Sequence, residues 1–120
     1  MSSIGKKTWV FVDGDMPPAG STEPFGHEAL MVLNSAAKDA VLSVDFFFEE
    51  NAPVRNVSLD VPAEKVRCFR LDKPLGRDGY VVPRGQYAIT VKSTVPVVAV
   101  FGRLDRRPDM AYYSVQGYSL

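Results

Sequence analysis

Cysteine occurs once, at Cys68, and histidine once, at His27. A lone cysteine closes no internal disulfide and suits a reducing compartment. Neither sign of charge is in excess, because 14 Lys and Arg balance 14 Asp and Glu. The overall field therefore draws neither nucleic acid nor an anionic membrane, and only a local patch could do so. No apolar run approaches the roughly 20 residues that cross a bilayer. Lys6 and Lys7 precede a short strand rather than the apolar core and small-residue cleavage site of a signal peptide. The expectation is a cytoplasmic, soluble protein without membrane insertion. Glycine-rich phosphate loops, nucleophile elbows and histidine-glutamate zinc motifs are also missing, which argues against an enzyme. So is any helical i, i+3, i+4, i+7 stripe sustained over three turns.

What the 120 residues do contain is a succession of short alternating segments. Thr8 to Val12 reads as a strand that stops at the turn composition Asp13-Gly14-Asp15, and Asp15 to Gly26 is a long proline-containing loop, a kind that is often functional. Strands follow at His27 to Asn34, Ala40 to Glu49, Val54 to Val61, Lys65 to Leu71, Tyr80 to Val82, Gln86 to Thr94, Val95 to Gly102 and Ala111 to Tyr118. In the Lys65 segment Val66 and Cys68 are expected on the inner face. The period of two is clearest where Tyr87, Ile89 and Val91 alternate with Gln86, Ala88, Thr90 and Lys92. Spacings of roughly 8 to 12 residues between strands predict a single all-β domain over residues 1–120, an antiparallel, jelly-roll-like β-sandwich of eight or nine short strands.

The run Val95-Pro96-Val97-Val98-Ala99-Val100-Phe101-Gly102 is apolar on both faces of a strand, so it needs cover on both sides. A sandwich core supplies one side; a second layer or another subunit supplies the other. With the strands at Thr8 and Ala40 it predicts a closed homo-oligomer. At its end, Arg103 and Asp105 share a face of the extended chain and are expected to form an ion pair near the long loop.

Each chemically suggestive residue also has a plainer reading. His27 and Glu28 point to opposite faces of a strand, so they do not converge on one ion, and a hydrogen-bonding role suits His27. Cys68 has Arg67 and Arg70 beside it but no base to take its proton, and reads as a buried strand thiol. Asp13 and Asp15 resemble the start of a calcium loop, but Met16-Pro17-Pro18 supplies no further oxygens. No metal, cofactor or catalytic residue is expected. Trp9, Tyr87, Tyr112, Tyr113 and Tyr118 could form a platform for a pyranose, although strand aromatics are usually core. Arg103, Arg106 and Arg107 form a basic cluster that Asp105 and Asp109 interleave and neutralise.

Taken together, several segments resemble the sensory rhodopsin transducer family. They are Trp9 with Gly14 and Pro17-Pro18, His27-Glu28 with Leu33-Asn34, Asp39-Ala40, Val61-Pro62-Ala63, Ser93 with Val95-Pro96-Val97-Val98, and Arg103-Leu104-Asp105 with Arg107. The resemblance runs from Ile4 to about Tyr118. It implies a soluble β-sandwich assembled as a homotetramer, a non-enzymatic signalling or binding module whose best-known relative partners a membrane photoreceptor. For relatives in bacteria without rhodopsin it implies two alternatives, a sensor of a small carbohydrate-like ligand and a transcription-related DNA-binding regulator. The candidate ligand- or partner-binding residues are Trp9, His27, Glu28, Arg103, Asp105 and Arg107.

Overall fold

The computed structural model of the chain describes residues 4–107 and 111–120. Among the described residues there is no helix, and eight strands carry the fold: β1 (Lys6–Met16), β2 (His27–Asn34), β3 (Ala40–Phe48), β4 (Val54–Val61), β5 (Lys65–Arg70), β6 (Gly85–Asp105), β7 (Ala111–Val115) and β8 (Gly117–Ser119). Every pairing is antiparallel. The strands form one connected system with two parts. The first sheet runs β4-β3-β6-β1-β8, and the second runs β5-β2-β6-β7. The all-β sandwich expected from the strand spacing is what forms.

β6 belongs to both sheets. Gly85 to Ser93 lies between β1 and β3, whereas Val98 to Asp105 lies between β2 and β7. The two strands expected at Gln86 and Val95 are therefore one strand of 21 residues. Its alternation never slips: Tyr87, Ile89, Val91, Ser93, Val97, Ala99, Phe101 and Arg103 are all buried. Residues 87 and 101 of a straight strand would lie roughly 46 Å apart, yet the Tyr87 and Phe101 rings have centroids 6.4 Å apart. β6 must fold over between them, keeping its odd-numbered face inside. Pro96 stands at the changeover, after pairing with β3 has ended at Ser93 and before pairing with β2 begins at Val98. Its missing N–H removes no ladder bond there.

Two further expectations are corrected. Tyr80 to Val82 is no strand, and only a bridge between Leu75 and Tyr80 forms in that connection. Ala111 to Tyr118 divides at Gln116, with β7 in the second sheet and β8 returning to the first beside β1. The return packs Gly117 against Phe11 so closely that a Cβ would sit 2.3 Å from the ring.

Between the sheets lies one core. Phe11 meets Phe101 at 5.5 Å between ring centroids, Phe46 meets Tyr87 at 5.9 Å, and Trp9 stacks on Phe11 at 6.3 Å. Such pairs contribute about 0.5–1.5 kcal/mol each beyond the area they bury. Leu30, Val32, Leu42 and Val44 fill the space around them.

The two outer faces differ in chemistry. That of the first sheet is mixed: Ser43, Asp45, Ser58, Asp60, Thr90 and Lys92 share it with Val41 and Phe47, aligned by the β3–β4 and β3–β6 registers. That of the second carries Met31, Leu33, Val66, Cys68, Val98 and Val100, aligned by the β2–β5 and β2–β6 registers. Val66 and Cys68 thus face outward, opposite to expectation, and Cys68 is exposed. Phe69, paired with Leu30, takes the inner side of β5. A phase shift of one residue reverses every side chain of a strand.

Candidate functional site

A strand with one buried face normally gives that face apolar residues, but β2 begins it with a carboxylate. Glu28, Leu30, Val32 and Asn34 are all buried, and Glu28 has no exposed surface at all. A carboxylate so placed requires partners for both oxygens. Tyr87 Oη donates to Glu28 Oε1 at 2.5 Å. Arg103 Nε donates to Oε2 at 3.0 Å, and the backbone N–H of Asp15 donates to the same oxygen at 2.9 Å. The buried Arg103 also donates from Nη2 to the Asp13 carbonyl at 2.5 Å and approaches Asp13 Oδ1 at 3.5 Å. No buried side-chain nitrogen or oxygen among the described residues lacks a partner.

The backbone makes this convergence possible. Folding over brings both ends of β6, Tyr87 and Arg103, to one carboxylate. Arg103 lies directly across the β2–β6 ladder from Glu28. In β1 a bulge between Phe11 and Gly14 redirects the Asp13 carbonyl and the Asp15 N–H toward the network. Gly14 is required by the closeness of approach, since a Cβ there would lie 2.8 Å from the Tyr87 ring. Burial, foremost, and then the charge and hydrogen bond of Glu28 push the Tyr87 phenol far above its ordinary range. Tyr87 is consequently a fixed donor.

Around this buried knot runs a polar rim. Arg107 donates from Nε and Nη2 to the two oxygens of Asp105, each at 3.1 Å, and reaches Asp15 at 3.5 Å. These bonds, with Arg107 foremost, hold the Asp105 carboxyl below the usual carboxylate range. Arg106 donates to the carbonyls of Thr22 and Pro24, strapping loop 17–26 to the end of β6. The expected Arg103–Asp105 pair is not made. Arg103 turns inward to its cross-strand partner Glu28, and Asp105 pairs with Arg107 instead. Direct cross-strand neighbours have Cβ atoms about 4.5–5.5 Å apart, closer than two residues along one strand.

Of the candidate residues, the structure brings Glu28 and Arg103 into one network and sets Asp105 and Arg107 on its rim. His27 is half-buried beside it, with Nδ1 2.8 Å from the Phe25 carbonyl. Trp9 is elsewhere, its indole N–H shared between the Lys6 and Val97 carbonyls. The aromatics do not gather into a platform among the described residues: Tyr87 is buried, Tyr112 is paired with Leu104 in the second sheet, and Tyr118 with Val10 in the first. Asp109 and the side chain of Tyr113 lie outside the described residues. Asp13 and Asp15 serve Arg103 and Arg107, and no group of three or more His, Cys, Asp or Glu among the described residues could hold a metal ion. Tyr87 was missed as a site residue because its bond to Glu28 spans 59 positions. The one local signal was a carboxylate at an inward position of an apolar strand.

Residues 4–119 match the family described as Anabaena sensory rhodopsin transducer. The chain belongs to that family. Two solved structures carry the transducer-family fold closely. The crystal structure of Thermotoga maritima 1070 is 28% identical over 97% of this chain and 96% of that one, with a TM-score of 0.83. The structure of the Anabaena sensory rhodopsin transducer is 32% identical over 89% of this chain and 94% of that one, with a TM-score of 0.75. No curated protein matches the chain. No helix among the described residues is long and apolar enough to cross a membrane.

Proposed function

We propose that the protein is a non-enzymatic, cytoplasmic signalling module that acts as a homotetramer and relays its signal by docking. The observation that carries this reading is the outer face of the second sheet. Leu33, Val66 and Val100 are 39%, 62% and 47% exposed there, in one patch with Met31, Val98 and Cys68. Contiguous exposed apolar surface on a sheet is the mark of a surface that meets protein. The Glu28 knot fits the same role, because its donors and acceptors are all used within the chain and lock β1, β2 and β6 into one frame. An exposed thiol at Cys68 suits a reducing cytoplasm. The name of the Anabaena relative supports a membrane photoreceptor as the upstream partner.

Light scattering after size exclusion tests the assembly. A tetramer at micromolar concentration supports the reading, and a monomer overturns it. A second reading, a small-ligand sensor, is favoured by a hollow beside loop 17–26. A melting-temperature screen of small molecules tests it, since a ligand that binds only the folded chain raises the midpoint.

A further inference from the structure

Loop 17–26 and the connection from β5 to β6 border an open hollow of about 430 Å³. That volume falls within the roughly 300–1,000 Å³ of small-molecule sites. Its floor is apolar and buried, formed by Met16 and Val82, and Phe25 stands at its side with 41% of its surface exposed. Around this floor stand Arg70, Lys73 and Arg84, opposed by a single carboxylate, Asp72. In a chain of zero net charge this is a local excess of cations.

The cations are differently placed. Arg70 is held by a two-pronged bond to Asp72, at 2.8 and 2.7 Å, which fixes the guanidinium plane and leaves its other N–H groups for a further acceptor. Lys73 and Arg84 make no ion pair and no side-chain hydrogen bond among the described residues. A second hollow shares Phe25 and Arg70 and extends the space to His27. The walls are preformed: Arg106 straps the loop, Gly26 N donates to the Ala19 carbonyl at 2.8 Å, and Leu71 N donates to the Glu28 carbonyl at 2.9 Å. The last of these bonds joins the hollow to the strand that carries the buried knot.

We infer that this hollow binds a small organic anion, with a carboxylate or phosphate head on Arg70, Lys73 and Arg84 and a flat or apolar body against Phe25 and Met16. The inference rests on the small-ligand reading and names the ligand class. Cations on a rim select the head by charge, and the apolar floor adds affinity for the body that a bare inorganic ion does not gain.

The test is calorimetric titration of the full chain with phenyl phosphate, benzoate, inorganic phosphate, benzyl alcohol and glucose, repeated with a Lys73→Glu/Arg84→Glu variant. Both substitutions are at exposed positions, so the variant should melt with the wild type. Phenyl phosphate or benzoate should bind at least about tenfold more tightly than inorganic phosphate and benzyl alcohol, a difference of about 1.4 kcal/mol. Which of the two binds better assigns the head group. The charge reversal should weaken that binding by about tenfold or more, and added salt should weaken it in the wild type. Equal binding of benzyl alcohol, or anion binding untouched by the charge reversal, overturns the inference. Binding of glucose without any anion overturns it while leaving the small-ligand reading standing; no binding of any probe at millimolar concentration overturns both.

Discussion

Glu28 divides its two oxygens among a phenol, a guanidinium and a backbone amide, and the three bonds are not equivalent. Glu28→Gln keeps the shape but removes the nearer of the two carboxylate charges that face the buried guanidinium of Arg103, at 3.0 Å against 3.5 Å for Asp13. Breaking a buried pair from one side costs about 3–5 kcal/mol. Arg103→Ala should cost a similar amount from the other side, while the double variant Glu28→Gln/Arg103→Ala should cost less than the sum of the two. Denaturant unfolding of the three variants measures this, and strict additivity would refute the coupling. Tyr87 adds a dependence on pH. Its pKa is raised in the folded chain, so its contribution is complete below the unfolded value of about 10 and is lost as pH rises beyond it. Unfolded Tyr87 then releases a proton that the folded state retains. Tyr87→Phe should lose about 1–3 kcal/mol at neutral pH through the unpaired carboxylate oxygen. It should also flatten the decline in stability above pH 10 relative to the wild type. An unchanged alkaline slope would remove Tyr87 from the account.

At the level of elements, β6 organises the chain, and the Arg106 strap fixes how the long loop sits on it. Arg106→Ala should raise amide exchange across residues 17–26, with Gly26 N–H as the reporter, while hardly moving the unfolding midpoint. Unaltered exchange would mean that the loop orders itself. Much of this architecture was legible, for a physical reason: alternation records which side of a strand is wet, and β2, β3 and the inward face of β6 all follow it. What alternation does not record is where a strand bends or what lies across from it. The pattern from Tyr87 to Arg103 has no phase slip, so nothing local showed the fold-over, and the boundary drawn between Thr94 and Val95 is a change of neighbours within one strand. Glu28 and Arg103 were both visible as candidates, yet their pairing was not, because it depends on the β2–β6 register. Val66 and Cys68 were assigned to the wrong side of β5 for the same reason: Phe69, set by the β2–β5 register, outcompetes them for the core.

For the whole molecule the outer face of the second sheet is the surface through which the proposed tetramer would assemble. A closed assembly of identical chains needs self-complementary patches, and the apolar second-sheet face supplies one without charges to be matched. Leu33 and Val98 are paired across the β2–β6 ladder with Val66 one strand further out, so the patch is continuous over three strands. The first-sheet face instead places Asp45 against Thr90 and Ser43 against Lys92, and Asp45 and Ser43 already have partners within the chain in Arg55 and Asn56. Leu33→Glu/Val100→Glu should therefore dissociate the proposed tetramer into smaller species. It should leave the far-ultraviolet circular dichroism of the sandwich intact, because neither side chain belongs to the core. Thr90→Glu/Lys92→Glu on the opposite sheet should leave assembly unchanged. Light scattering separates the outcomes: dissociation by the first-sheet substitutions, with the second-sheet variant still tetrameric, would move the interface to the other face. Retention of the tetramer by both variants would place it at the strand edges, where β4, β5, β7 and β8 offer unpaired backbone groups.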